Sequence, residues 1–238
     1  MIIDRRYNGP PDSGHGGYVC GALAGFVEGP AEITLRHPPP LGRPLTVGPG
    51  ADGGIVLTDG PTVLAEARAV DPWQAQVPPP PDLAAAAAAG LAAPQRDPAL
   101  HTHPLCFGCG TGRSGGDGLG IVAGLVPGPV SETARVADVW VPGAAVDGGD
   151  GTVGAEFLWA ALDCPSGFAW LTRGDPPPML LGRMSAMLLA PVPVGEPVVC
   201  TGWVRGESGR RLMSASALSA GDGTLLATAD AVWITLVG

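Results

Sequence analysis

GAEFLWAALDCPSG, residues 154–167, has the spacing of a buried helix and yet carries two carboxylates. Glu156 and Asp163 stand seven residues apart, so both lie on one stripe of such a helix with Trp159 between them. A charge on an otherwise apolar helix is costly unless it is paired, hydrated or put to use. Glu156 sits in the first turn and complements the helix dipole without further purpose. Asp163 has no such local explanation.

Outward from this helix, the chain repeats itself. GGYVCGALAGFV (16–27) is a second Gly-led apolar stretch with helical spacing. The turn signal PPPLGRPL (38–45) returns as PVPVGEPV (191–198), and DGPTVLAEARAV (59–70) is answered by DGTLLATADAV (222–232). A DG turn followed by roughly alternating residues marks a strand leaving a hairpin. The second copy adds strand-like segments at 179–190 and 198–205, with ESGR (207–210) as the turn before 211–219. Each half therefore reads as one helix and then antiparallel strands, an α+β arrangement in tandem. Between them, PPPP is a stiff spacer, and Asp82 is placed to cap an Ala-rich helix that Gly90 and Pro94 end. The expected units are 1–72 and 106–238, joined by a Pro/Ala-rich linker over 73–105. Two halves this short would bury little alone, so a shared interface is expected.

Composition narrows the function. The chain has 238 residues, 45% of them apolar, so it can build a substantial core. All 13 basic residues are Arg, and the net charge of −9 argues against nucleic acid or an anionic membrane as partner. A few local Arg can still bind a phosphate. The first residues lack the apolar core of a signal peptide, and no stretch approaches a membrane span of about 18 apolar residues. Five Cys without a secreted disulfide pattern make the cytoplasm the expected compartment.

Three motifs carry a family resemblance. His15-Gly16-Gly17 opens the first helix, Leu162-Asp163-Cys164-Pro165-Ser166-Gly167 lies on the second, and Cys106-Phe107-Gly108-Cys109-Gly110 precedes Gly118-Leu119. In this order, with the repeat, they resemble the double hotdog proteins of the acyl-CoA thioesterase group, the 4-hydroxybenzoyl-CoA thioesterase-like superfamily. Their HGG and L-x-D-x-A-x-G lie on the central helix, and Pro165 stands where that pattern prefers Ala. The resemblance implies two central helices wrapped by antiparallel strands in one pseudo-dimeric sheet. It also implies hydrolysis of a fatty or small acyl thioester, with coenzyme A arriving as part of the substrate and no separate cofactor. The expected partners are that substrate and, as an oligomer, a second copy of the chain.

Laying one helix over the other sharpens the expectation. The family acid follows the His of HGG by nine residues; that position is Ala24 in the first half and Asp163 in the second, where Gly154 replaces the His. Each half keeps what the other has lost. This predicts one composite site, with Gly16 as oxyanion donor and Asp163 as base or nucleophile, and a degenerate counterpart around Ala24 and Glu156. Asn8 stands close to where the family places a carbonyl-polarising Asn. Ser185 is a candidate to orient water, and His15 reads as a capping residue. Arg205, Arg210 and Arg211, around one turn, and Arg113, beside the Cys-rich loop, are candidates for coenzyme A. His101, His103, Cys106 and Cys109 have ligand types suited to zinc, but a close Cys pair is common in such loops without metal, and no metal is assigned. GRSGGDGLG lacks the Lys-Ser/Thr of a P-loop and the dinucleotide-binding spacing. Two other functions remain open: an acyl-thioester or lipid-binding module without chemistry, and an enoyl-CoA hydratase. The hydratase is disfavoured because that branch's signature has an Asp and a His separated by four residues, whereas Asp12 and His15 are separated by two.

Overall fold

The computed structural model describes residues 1–128, 134–174 and 177–236. Helix α1 (Gly16–Ala24) leads into β1 (Ala31–Leu35), β2 (Thr46–Pro49), β3 (Ile55–Asp59) and β4 (Thr62–Ala69). Helix α2 (Leu83–Leu91), β5 (Gly124–Leu125) and β6 (Arg135–Trp140) follow. Helix α3 (Ala155–Phe168) then leads into β7 (Met179–Leu188), β8 (Val198–Ser208), β9 (Arg211–Ala220) and β10 (Leu225–Thr235).

Local chemistry sets the boundaries. The His15 ring accepts the Tyr18 N–H and opens α1, while Asp82 accepts the Ala85 N–H at 2.7 Å and opens α2. The turns at 59–60 and 208–210 close on Gly60 and Gly209, both at positive φ (56° and 57°), a conformation that L side chains resist. Pro165 does not end α3, which runs on to Phe168 and a short 3₁₀ turn.

The ten strands form one antiparallel sheet in the order β2-β3-β4-β1-β7-β10-β9-β8-β6-β5. The four strands after α1 lie as 2-3-4-1 and the four after α3 as 8-9-10-7, so each run repeats the same order. The two runs meet where β1 pairs with β7, setting Ala31 against Ala186 and Ile33 against Met184 in the core. Strands β5 and β6 extend the far edge beyond β8.

The helices α1 and α3 pack on one face of this sheet and directly on each other. Gly17 and Gly21 set the close approach: a Cβ on Gly17 would stand 2.6 Å from the Trp159 carbonyl oxygen, and one on Gly21 2.6 Å from the Glu156 Cα. The stretch expected to link the halves is packed rather than free. Helix α2 lies against β6, and Asp138 of β6 accepts from Arg96 and from the Val122 N–H, each at 2.7 Å. The loop at 106–110 reaches back to the start of the chain. There the Phe107 N–H donates to the Asn8 carbonyl at 2.7 Å, and the Phe107 ring meets Tyr7 edge-on. Among the described residues no helix is long and apolar enough to cross a membrane.

Candidate functional site

Helix α3 delivers Asp163 to the N-terminus of α1. Its Oδ2 accepts the Gly17 N–H at 2.7 Å and lies 3.5 Å from His15 Nδ1. No side chain could stand at Gly17, because its Cβ would also fall 2.6 Å from the Asp163 Cβ. Gly16 is tight for the same reason, with the Asp163 carboxylate 3.3 Å and Leu181 2.9 Å from the place a Cβ would take. Asp163 is only 3% exposed, and among the described residues its Oδ1 has no hydrogen-bond partner. Burial pushes its carboxyl up from the ordinary range, against the opposing pull of His15 and the Gly17 N–H. Among the described residues the Gly16 N–H, one of the donors a helix start leaves unused, faces no protein acceptor.

A cavity of about 300 Å³ opens here, lined by His15, Gly16 and Asp163. Its apolar wall includes Leu181, Trp233 and Ile234, and the exposed Arg36 and His37 also border it. A second cavity, of about 290 Å³, lies at the pseudo-equivalent place and is lined by Ala24, Ala155 and Trp159. It holds no acid at the position of Ala24.

Three thiols crowd the other side of His15. Its Nε2 lies 3.3 Å from Cys164 Sγ, and a ring nitrogen of His15 and the sulfurs of Cys106 and Cys164 all lie within 4.8 Å of one another. Cys109 is packed in the same buried cluster as these two cysteines. Hydrogen bonds from Cys109 and Cys164 hold the Cys106 thiol well below its usual value, while the other two are pushed up. Burial depresses His15, but Cys106 and Asp163 outweigh it and leave the imidazole raised. All five cysteines are free and buried.

The other candidates are placed as follows. Asn8, expected beside the carbonyl, is instead tied up: its Oδ1 accepts from Arg113 at 2.8 Å and its amide donates to the Gly9 carbonyl. Arg113, expected to bind coenzyme A, is instead closed into its own loop, donating to the Leu105, Arg6 and Asp117 carbonyls as well as to the Asp117 carboxylate. Neither lines the cavity. Arg205 faces Asp230 at 3.8 Å, Arg211 is exposed, and Arg210 donates to the Thr235 carbonyl, between the cavity residues Ile234 and Leu236. Ser185 donates to Glu32 and is not among the residues lining the cavity. The zinc-type ligands His101, His103, Cys106 and Cys109, to which the sequence assigns no metal, do not assemble into a set, because His101 Nε2 meets the Cys109 carbonyl and its Nδ1 accepts the His103 N–H. Sequence reasoning missed Cys164 as a neighbour of His15, although it directly follows Asp163. Arg36, which no motif marks, borders the cavity with its guanidinium paired to Glu66 at 2.6 Å.

Solved structures match this arrangement over the whole chain. A hotdog-fold protein of unknown function from Alicyclobacillus acidocaldarius superposes with a TM-score of 0.64 at 14% identity, covering 99% of this chain and 92% of that one. The fold is the hotdog fold. A proposed thioesterase from Novosphingobium aromaticivorans shares this hotdog arrangement with a TM-score of 0.61 at 13% identity, covering 100% of this chain and 94% of that one. The tesB protein of Mycobacterium avium subsp. paratuberculosis follows the hotdog chain at 0.58 and 14%, over 94% of this chain and 88% of its own. No protein-family model matches the sequence, and no curated protein does. At such identities the likeness speaks for the hotdog fold and leaves the activity to be argued from the site.

Proposed function

We propose that the chain is a tandem of two hotdog units that hydrolyses an acyl thioester, of the acyl-CoA class, at one composite site. The observation that carries this reading is Asp163: a buried carboxylate with one oxygen unpartnered among the described residues, lining an apolar cavity against the N-terminus of the other unit's helix. The repeated strand order on either side of the β1·β7 pair supports the tandem, and the names of the structural neighbours support the reaction class.

The chemistry assigns each part a task. The acyl chain lies along Leu181, Trp233 and Ile234. The thioester carbonyl meets the Gly16 N–H, where the helix dipole favours developing negative charge; one such donor is worth a factor of about 100 to 1,000 in rate. Asp163 takes a proton from water as the water oxygen attacks the carbonyl carbon. Collapse of the tetrahedral intermediate breaks the C–S bond, and the departing thiolate takes that proton back, leaving a carboxylic acid and a thiol. The raised carboxyl of Asp163 suits a base, and the hydrogen bond from Gly17 together with His15 keeps it oriented. Arg205, Arg210 and Arg211, joined by Arg36 beside the cavity, are the cations proposed for the phosphates of coenzyme A. Free cysteines throughout fit a reducing compartment such as the cytoplasm, and a homodimer is the proposed oligomer.

One observation favours a second reading, a module that holds the thioester without cleaving it. The Gly17 N–H already serves Asp163 rather than a ligand, and Ser185, the candidate to orient a water, is turned to Glu32. Hydrolysis of acyl-CoAs of graded chain length by wild type and Asp163→Asn separates the two. Turnover that vanishes in the variant supports the hydrolase; background release by both, with measurable acyl-CoA binding, supports the module.

A further inference from the structure

We propose a zinc site formed by His15, Cys106, Cys109 and Cys164, a ligand set drawn from the N-cap of α1, the loop before β5 and the middle of α3. Three thiols and one imidazole are buried together, and the described structure closes no disulfide among them. Nitrogen and sulfur donors of this kind, four to a site, are the tetrahedral environment that structural zinc takes, and a Cys-x-x-Cys pair is a usual half of it. The ligand atoms of His15, Cys106 and Cys164 lie within 4.8 Å of one another, and His15 Nε2 is 3.3 Å from Cys164 Sγ. Cys109, three residues from Cys106, lies in the same buried cluster as the other two cysteines and is the fourth donor within reach.

The backbone is shaped around these donors. Gly108, between the two loop cysteines, has no room for a Cβ, which would stand 2.5 Å from His15 Nε2 and 2.6 Å from Cys164 Sγ. The loop folds tightly on itself as the Gly110 N–H donates to the Cys106 carbonyl at 2.8 Å and the Cys106 N–H to the His103 carbonyl at 2.9 Å. Metal-bound histidines commonly hand their second ring N–H to a carboxylate. With Nε2 on zinc, the Nδ1 of His15 carries the proton: it gives up the Tyr18 N–H that it otherwise accepts and turns to Asp163 Oδ2, 3.5 Å away. Four protein ligands close the coordination sphere, so the ion is structural and binds no substrate: it fastens the 106–109 loop to both helices at one wall of the cavity. The set differs from the His101/His103 pairing that adjacent sequence suggests, because space brings His15 and Cys164 to the loop instead.

The test reads the metal and needs no turnover, so it is independent of the hydrolase proposal. Wild type expressed with zinc under reducing conditions is expected to carry one zinc per chain by elemental analysis. Replacement by Co²⁺ is expected to give the intense visible bands of a tetrahedral site and a near-ultraviolet thiolate-to-cobalt band sized for three sulfurs. Cys106→Ala and Cys164→Ala are expected to lose the metal, while Cys20→Ala, in the core outside the cluster, keeps it. Chelation is expected to lower the melting temperature of wild type. Wild type that retains no zinc after incubation with the ion and gel filtration would overturn the proposal, whatever the variants do. So would zinc held at full stoichiometry in both cluster variants, or a native mass showing a disulfide among these cysteines and no metal.

Discussion

Gly17→Ala probes the contact on which the site is built. A methyl at this position would centre 2.6 Å from both the Asp163 Cβ and the Trp159 carbonyl oxygen, where carbon contacts settle at about 3.5–4.0 Å. Neither neighbour is the loose end of a side chain, so the strain is relieved only by moving α1 away from α3. Overpacking of this kind costs about 1–3 kcal/mol, and the better helix propensity of Ala returns about 1 kcal/mol. The displaced helix also stretches the hydrogen bond from the Gly17 N–H to a buried carboxylate, worth about 1.5–3 kcal/mol. The net expectation is a loss of about 2–4 kcal/mol, a fall in melting temperature of roughly 5–15 °C for a chain of this size. Calorimetry checks it beside Gly25→Ala, whose Cβ would meet nothing closer than an oxygen at 3.6 Å. Acyl-CoA turnover is expected to fall with the melting temperature, because the same movement separates Asp163 from the helix end. A Gly17→Ala protein that melts with the control and turns over like wild type would refute the helix contact and the site that depends on it.

Gly108→Ala is expected to lower the melting temperature and expose thiols to a reagent that leaves the wild type untouched, since its Cβ would enter the space of His15 and Cys164. Ala24→Asp places an acid in the second cavity, where burial costs about 1–3 kcal/mol without a partner, and no gain in turnover is expected because Ala155 stands there in place of Gly16. Asp138 gives a pH signature. Burial pushes its carboxyl above the ordinary value, against the pull of the Val122 N–H and Arg96, so the folded state holds that proton more tightly than the unfolded one. Its contribution is full below the unfolded value near 4 and is lost as pH rises through the folded value. The unfolding free energy of wild type minus that of Asp138→Asn is therefore expected to decrease over that window, and a flat or rising difference would contradict the assignment.

What the sequence disclosed followed from short-range chemistry. Turns at 59–60 and 207–210, the Asp82 cap and the two Gly-led helices are signals contained within a few residues, and the structure has each element there. The meeting of Asp163 with the start of α1 was legible because the loss at Ala24 and the acid at Asp163 stand out when the two Gly-led helices are laid over each other. The misplaced residues belong to another class. Asn8 and Arg113 are 105 residues apart and satisfy each other, and no spacing rule shows that either is occupied. His15 and Cys164 are 149 residues apart, and they meet only because Gly17 and Gly21 let α1 settle onto α3. His101 and His103 are the histidines nearest the Cys-x-x-Cys in sequence, yet the one packed against Cys106 and Cys164 is His15.

The central claim is that Asp163 does chemistry and is not merely an acid that the fold tolerates. Single-turnover hydrolysis of a long-chain acyl-CoA, with binding of the same ligand measured in parallel, tests it in wild type and Asp163→Asn. The account predicts that the variant remains folded, binds the acyl-CoA as wild type does, and loses a factor of about 100 to 10,000 in rate. Undiminished hydrolysis in Asp163→Asn would contradict it.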